Sequence, residues 1–475
     1  MAGINKYLAI YINSLFFQPG TFVRSSNKYM YYHQKQLSLL LLFSISGLQP
    51  VIAEGGTFFK DTIKLSLQQV WQQAEIHNKS VRIRQLQISV SDENLKDARA
   101  ERLPEIRSAT KYARISDMPL YENGVFSKPV YGNIIHNYFQ LNAEASMVLY
   151  NGEKIKTKIR EEEVEHDIST IEKDLTASDI KFKATAFYLE LERNSVFKQL
   201  VLVDIQEQQK RLDQIRELFK NGVILRSDVL RAELQLSKQK MLLTEIENTI
   251  QIDNQKLAVL IGLPEEVEIQ PDENILTADN STKIYDDYLT DALSHAFGIR
   301  ISEKETELKK LELKEIKSNA LPKIVAYAEY GYTYPQILFY PYAASLYGLG
   351  QACVKVSYTL SSLYQNNHKV KAAEIRIEKQ HLAHADEEDA LKVQVNEAYV
   401  RYKESLKRIV VSEQNIRQAT ETYRIVYNTY FNQLALLTDL LDADTQLLQS
   451  RFDLTSAQIR AKLEYYYLMK TIGEL

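Results

Sequence analysis

From Val229 onward, apolar residues recur at alternating steps of three and four: Val229, Ala232, Leu236, Leu243, Ile246, Ile250, Leu257 and Leu260, with Gln239 and Asp253 in the two remaining places. This is a heptad seam, the pattern of a helix that lays one narrow stripe against a partner. Adding 211 to each number gives Leu440, Ala443, Leu447, Ser450, Leu454, Ala457, Ala461, Glu464, Leu468 and Thr471, which keeps the phase and puts polar residues at the same two places. Other landmarks repeat as well. Ile261-Gly262-Leu263 matches Ile472-Gly473-Glu474, and at an offset of 218 Leu103-Pro104-Glu105-Ile106 matches Leu321-Pro322-Lys323-Ile324. The chain reads as an internal duplication.

Breakers are scarce, and their places divide the chain. No proline falls in 152–221, 225–261, 363–431 or 436–474, so each stretch predicts one long helix. Each half predicts the same order: a helix (66–102; 285–319), two strands (103–115 and 137–150; 322–334 and 350–362), a long helix, then the heptad helix. The longest would extend about 105 Å, which two shorter helices stacked end to end would match. The polar, proline-containing segment 264–284 reads as a linker between a first repeat, 54–263, and a second, 285–475.

The strand segments alternate with period two. Phe139, Leu141, Ala143, Ala145, Met147 and Leu149 point one way, and Gln140, Asn142, Glu144 and Ser146 the other. One apolar and one polar face suit a membrane barrel or a soluble sheet with one wet face. Four strands cannot close a barrel, and open edges are not tolerated in lipid, so a membrane reading requires several copies: two would give a filled lumen, three a wider one.

The apolar run Leu37–Leu48 after Lys35 is too short to span a bilayer and suits the core of a secretory signal. Met30 is the better start, and the mature chain is expected near Glu54, which makes 1–53 a removed targeting segment. Composition narrows the function. Lys+Arg 58 against Asp+Glu 62 gives net charge -4, which lacks the basic footprint of nucleic-acid binding. A single cysteine, Cys353, excludes an internal disulfide and a multi-cysteine metal site. No phosphate loop, nucleophile elbow or HExxH helix occurs, so no enzyme and no cofactor are expected. His381 and His384 lie beside Asp386, Glu387, Glu388 and Asp389. Two histidines need further fixed ligands to hold a metal, and a solvated charged face explains the run as well.

The duplicated motifs carry a resemblance. Phe219-Lys220-Asn221-Gly222 followed by Asp228-Val229-Leu230-Arg231-Ala232, and Tyr430-Phe431-Asn432-Gln433 followed by Asp439-Leu440-Leu441-Asp442-Ala443, resemble the signature of the TolC family of outer-membrane efflux and secretion channels. The Leu-Pro start of the first strand in each half and Tyr150-Asn151-Gly152 after the second are similar to that family too. The resemblance covers about 62–474. It implies a mainly α fold with a small β part: an internally duplicated long-helix protomer giving four strands to a trimeric outer-membrane β-barrel, with a helical barrel in the periplasm. It also implies a homotrimer in outer-membrane lipid, a periplasmic adaptor (membrane fusion) protein, and an inner-membrane RND or ABC-type pump that supplies the energy. The alternative is a soluble coiled-coil scaffold or adaptor without transport activity.

Candidate residues follow from this frame. The helical tips with Phe219, Gly222, Asp228, Tyr430, Gln433 and Asp439 would dock the adaptor, although Asp228 and Asp439 also suit helix capping. Gln433 stands where the signature has glycine, so a different turn is expected there. Glu413, Arg417, Glu421 and Arg424, at steps of four and three, offer ion pairs for a gate, or simply an exposed charged face. The 30 tyrosines concentrate beside the strands, where Tyr112, Tyr138, Tyr327, Tyr330 and Tyr332 would form a membrane-interface belt, with Tyr340 and Tyr342 in the adjoining loop.

Overall fold

A computed structural model describes residues 62–272, 283–336 and 343–475, all within one compact unit, Lys60–Leu475. The expected targeting segment, much of the linker, and Tyr340 and Tyr342 lie outside the described residues.

The first half runs β1 (Thr62–Leu65), α1 (Leu67–His77), α2 (Lys79–Ala100), β2 (Glu105–Arg114), β3 (Met118–Leu120), β4 (Val130–Gly132), β5 (Asn137–Tyr150), α3 (Lys154–Lys220) and α4 (Arg226–Ile261). After β6 (Glu268–Pro271) the second half runs α5 (Tyr285–His295), α6 (Phe297–Ser318), β7 (Lys323–Tyr334), β8 (Tyr347–Ser357), a one-turn α7 (Ser362–Gln365), α8 (Asn367–Phe431) and α9 (Leu437–Thr471). The long helices α3 and α8 have 67 and 65 residues, about 100 Å each. The heptad seams are buried: Ala232, Leu236 and Leu257 on α4, and Leu440, Ala443, Leu447 and Leu468 on α9.

The core lies in separate clusters along the long helices. One joins α1, α4 and β6 to the middle of α3 around Tyr188 and Leu257. Another joins α5 and α9 to α8 around Tyr288, Val395 and Leu468. A third, near the turns, gathers Leu212, Ile215, Leu236, Tyr430, Leu437 and Leu440 from both halves.

One expectation needs correction. The helices expected over 66–102 and 285–319 are each broken, at Asn78 and at Ala296. Asn78 ends α1 in extended backbone, accepts the Ser80 amide at 2.9 Å, and donates from Nδ2 to the Leu260 carbonyl at 3.1 Å. The breaks receive the left-handed glycines that end the heptad helices. A Cβ on Gly262 would stand 2.5 Å from His77 Cβ, and one on Gly473 would stand 2.5 Å from the His295 carbonyl oxygen. Only glycine allows both the positive φ and that approach.

The main sheet is antiparallel in the order β2-β5-β7-β8, so β2 and β8 are its free edges. Strands β1 and β6 form a separate parallel pair, and β3 with β4 a small hairpin.

Candidate channel wall and helical tips

Cross-strand register sorts the sheet into two faces. Tyr112 pairs with Phe139, Phe139 with Tyr334, Leu141 with Tyr332, Ala143 with Tyr330, and Ala145 with Ala328, which itself faces Ala352. Directly opposed residues share a face, so this face is apolar and aromatic. It is also exposed: Tyr112, Leu141, Met147, Tyr330, Tyr332, Val354 and Val356 are all open. The glycines of β8 make room for its rings, since a Cβ on Gly350 would stand 2.8 Å from the Tyr330 ring. The opposite face carries the row Arg107, Glu144, Glu329 and Gln351 across the four strands. An exposed apolar face behind a hydrated polar one inverts the usual half-buried sheet and suits a wall between lipid and water.

This sorting corrects part of the tyrosine belt. Tyr112, Tyr330 and Tyr332 lie on the apolar face, whereas Tyr138 and Tyr327 lie on the polar one. Tyr138 donates to Gln140 Oε1 at 2.9 Å, with Lys111 Nζ 5.8 Å from its ring centroid. The Tyr327 hydroxyl donates to Glu144 at 3.2 Å and also bonds Glu329. The reason is parity: each sits an odd number of residues from its outward neighbours, and a strand reverses side at every step.

The two helical tips close alike. At the first, the Gly222 amide donates to the Phe219 carbonyl at 2.9 Å and the Val223 amide to Leu218 at 3.0 Å; at the second, Gln433 donates to Tyr430 at 2.8 Å and Leu434 to Thr429 at 2.9 Å. Gly222 has φ 73° and Gln433 φ 64°. The different turn expected at Gln433 is therefore not formed: the second tip uses the same left-handed geometry and bears the strain of a side chain there. Asp439 accepts the Leu436 amide at 3.1 Å, a cap made from inside the first turn. Asp228 also sits in the first turn of its helix. Around these turns Leu225, Leu434 and Leu436 are 71%, 80% and 69% exposed. Phe219 is exposed too, but its repeat counterpart Tyr430 is 7% exposed and packs in the shared cluster, so it offers little docking surface. Burial, with Asp228 nearby, pushes the Tyr430 hydroxyl pKa up.

Above the tips lies a buried polar cluster that the sequence analysis did not single out. Asp204, Gln208 and Arg211 of α3 and Asp444 of α9 are each nine-tenths buried or more. Arg211 grips Asp444 with two bonds, at 2.9 and 3.0 Å, and donates to the Tyr423 hydroxyl of α8 at 2.7 Å. Gln208 Nε2 bridges both carboxylates, at 2.9 Å to Asp204 and 3.1 Å to Asp444. Burial, reinforced by the Asp444 charge, pushes the Asp204 pKa up to about 7. Burial opposes the Arg211 charge, but the bonds to Asp444 outweigh it and hold the guanidinium protonated. The cluster ties α3, α8 and α9 together. Its signal was present as Asp, Gln and Arg at steps of four and three on an otherwise apolar face of α3.

Of the four gate candidates, Glu421 and Arg424 pair with each other at 2.6 Å one turn apart on α8. Glu413 and Arg417 are exposed and form no ion pair among the described residues. His384 is held by Ser302 Oγ at 3.2 Å and Glu388 at 3.3 Å. Among the described residues no cluster of three or more His, Cys, Asp or Glu suits a metal, and no helix is long and apolar enough to cross a membrane.

No protein-family model and no curated protein matches the chain. Solved structures do. The outer-membrane channel OprN superposes with TM-score 0.70 at 14% identity, over 86% of this chain and 90% of that one. The outer membrane protein VceC of Vibrio cholerae gives TM-score 0.67 at 18% identity, over 86% and 96%. The open state of the MtrE channel of Neisseria gonorrhoeae gives 0.68 at 16%, over 86% and 88%. At such identities the likeness carries the fold and nothing finer. With its duplicated long helices and four-stranded sheet, this chain has the TolC-like fold of outer-membrane channels.

Proposed function

We propose that the chain is one protomer of an outer-membrane channel, a passive duct from periplasm to exterior and not an enzyme. The inside-out sheet carries this reading: its exposed apolar face meets lipid and its polar face lines water. The free edges of β2 and β8 would leave backbone groups unpaired in lipid, which supports edge-to-edge pairing with further copies. Three copies give twelve strands and an open lumen, whereas two give eight and a filled one, so the duct is a homotrimer. Its exposed tip leucines dock a periplasmic adaptor, and an inner-membrane pump of RND or ABC type supplies the energy for efflux or secretion. The Arg211–Asp444–Tyr423 cluster braces the helices just above the tips and serves as the latch that holds them closed.

The test is reconstitution of the full chain in a planar bilayer, with native mass spectrometry of the detergent-held particle. A trimer with discrete conductance steps is expected. A chain recovered monomeric and soluble after osmotic shock would overturn the reading in favour of a periplasmic scaffold. A lysine at Ala328, on the apolar face, should lower assembly stability by about 2–4 kcal/mol at the bilayer midplane, whereas Glu329→Lys on the polar face should chiefly change ion selectivity.

A further inference from the structure

Beside the latch, α3, α8 and α9 enclose a groove of about 480 Å³, a size that holds a small organic molecule. Its lining is unusual for a helix junction. Lys210, Arg211, Arg424 and Arg451 face it, against one acid, Glu207, and the rings of Tyr423 and Tyr427 complete its walls. Two of the cations are accounted for, since Arg211 binds Asp444 and Arg424 binds Glu421. Lys210 and Arg451 form no ion pair among the described residues. At the floor, Arg211 is 4% exposed and its buried Nε has no hydrogen-bond partner.

The duplication provides an internal control. Shifting by 211 places Glu421 against Lys210, Asp213 against Arg424, Thr422 against Arg211 and Lys240 against Arg451. The four related positions therefore carry two acids and one base where the groove carries four bases. Neither helix formation nor the heptad seam demands the positive charge, because the other half folds without it. Concentrated like charge costs stability unless something compensates it, and a guanidinium beside aromatic rings suits a flat anion by charge and stacking together.

We propose that this groove binds a small organic anion with an aromatic body, its charges met by Lys210 and Arg451 and its ring by Tyr423 and Tyr427. A bound anion bridges α3, α8 and α9 and so strengthens the junction that the latch holds. The groove belongs to one protomer, so the proposal stands apart from the channel reading and a silent bilayer would not touch it.

The test uses the full chain in lipid nanodiscs and naphthalene-1,5-disulfonate, a dianion that does not partition into lipid, titrated by calorimetry. Saturable binding is expected that weakens with added salt. The double variant Lys210→Gln/Arg451→Gln should weaken it by roughly tenfold or more, while Lys240→Gln, at the related position, should leave it within about twofold. Circular dichroism and melting temperature serve as the folding check, and the exposed single variant Lys210→Gln stands in if the double variant fails it. No saturable binding, or equal binding by the neutralised variant, overturns the proposal. Inorganic sulfate binding as tightly as the aromatic dianion would also overturn it, since the rings would then contribute nothing.

Discussion

The two repeats share their scaffold and differ in what they bury above the tips. In the first, α3 presents Asp204, Gln208 and Arg211; shifted by 211, α8 presents Asn415, Ala419 and Thr422. The partner helices differ likewise, Asp444 of α9 standing where α4 has Glu233. Glu233 is half-exposed and pairs at the surface with Arg216 at 2.6 Å, whereas Asp444 is buried under two bonds from Arg211. The same backbone thus supports a solvated ion pair in one copy and a buried polar network in the other. A buried network is seldom the cheapest way to stabilise a helix junction, since well-packed apolar residues do as well. The other repeat folds without such a network, so folding alone does not demand it, and this asymmetry supports the latch proposed above.

Breaking the network should give the largest effect. Arg211→Ala leaves Asp444 and Asp204 buried without their cation, a loss of about 3–5 kcal/mol. The related change Thr422→Ala should stay within about 0.5 kcal/mol, as surface substitutions do. Chemical denaturation of the two variants measures the difference, and the conductance of Arg211→Ala should show a longer-lived open state. Equal costs at both positions would remove the asymmetry between the repeats.

Legibility divided along the same line. The seam at Val229–Leu260, its copy 211 residues on, and the strand alternation were readable because each is a local periodicity, set in the helices by one buried face and in the strands by one apolar face. The helix breaks at Asn78 and Ala296 were not, because they answer to Gly262 and Gly473, which are distant in sequence. The latch was hidden for a related reason: Arg211 and Asp444 lie 233 positions apart, and on each helix alone a charged residue reads as solvated. Tyr138 and Tyr327 were a different failure, since counting parity from Leu141 and Tyr332 would have placed them on the polar face.

The second effect is pH dependence confined to the same repeat. The folded-state pKa of Asp204, about 7, lies above its ordinary value of 3.8. The folded state therefore binds the proton more tightly than the unfolded one, so this group's stabilising contribution is complete below pH 3.8 and is lost as pH rises to about 7. Above that range Asp204 and Asp444 both carry charge beside one guanidinium, and the latch loosens. Melting temperature across this window should fall with pH more steeply in the native chain than in Asp204→Asn, which has no proton to lose. Parallel profiles would remove Asp204 from the latch.

A smaller effect sharpens the comparison at the turns. Because Gln433 holds φ 64° where Gly222 holds φ 73°, Gln433→Gly should stabilise the second tip by up to about 1 kcal/mol, and Gly222→Gln should destabilise the first by a similar amount. Opposite shifts in denaturation midpoint are the expected sign; shifts of one sign would mean that side-chain contacts, rather than backbone conformation, decide the turns.

The smallest effect tests what surface charge contributes beside buried charge. Glu421 and Arg424 make close bonds, at 2.6 and 2.9 Å, but both are more than half exposed. Water already solvates each partner, and holding two long side chains in one geometry costs entropy, so Glu421→Gln should change stability by no more than about 0.5 kcal/mol. It should leave conductance unchanged as well, because this pair lies within one turn of α8 and ties no second helix. The contrast with Arg211 is then between charges of the same kind on the same bundle, separated by burial and by whether the bond crosses from one helix to another. If Glu421→Gln instead opened the channel as Arg211→Ala does, control of the tips would reside on the exposed face of α8, and the buried network would be a structural brace alone.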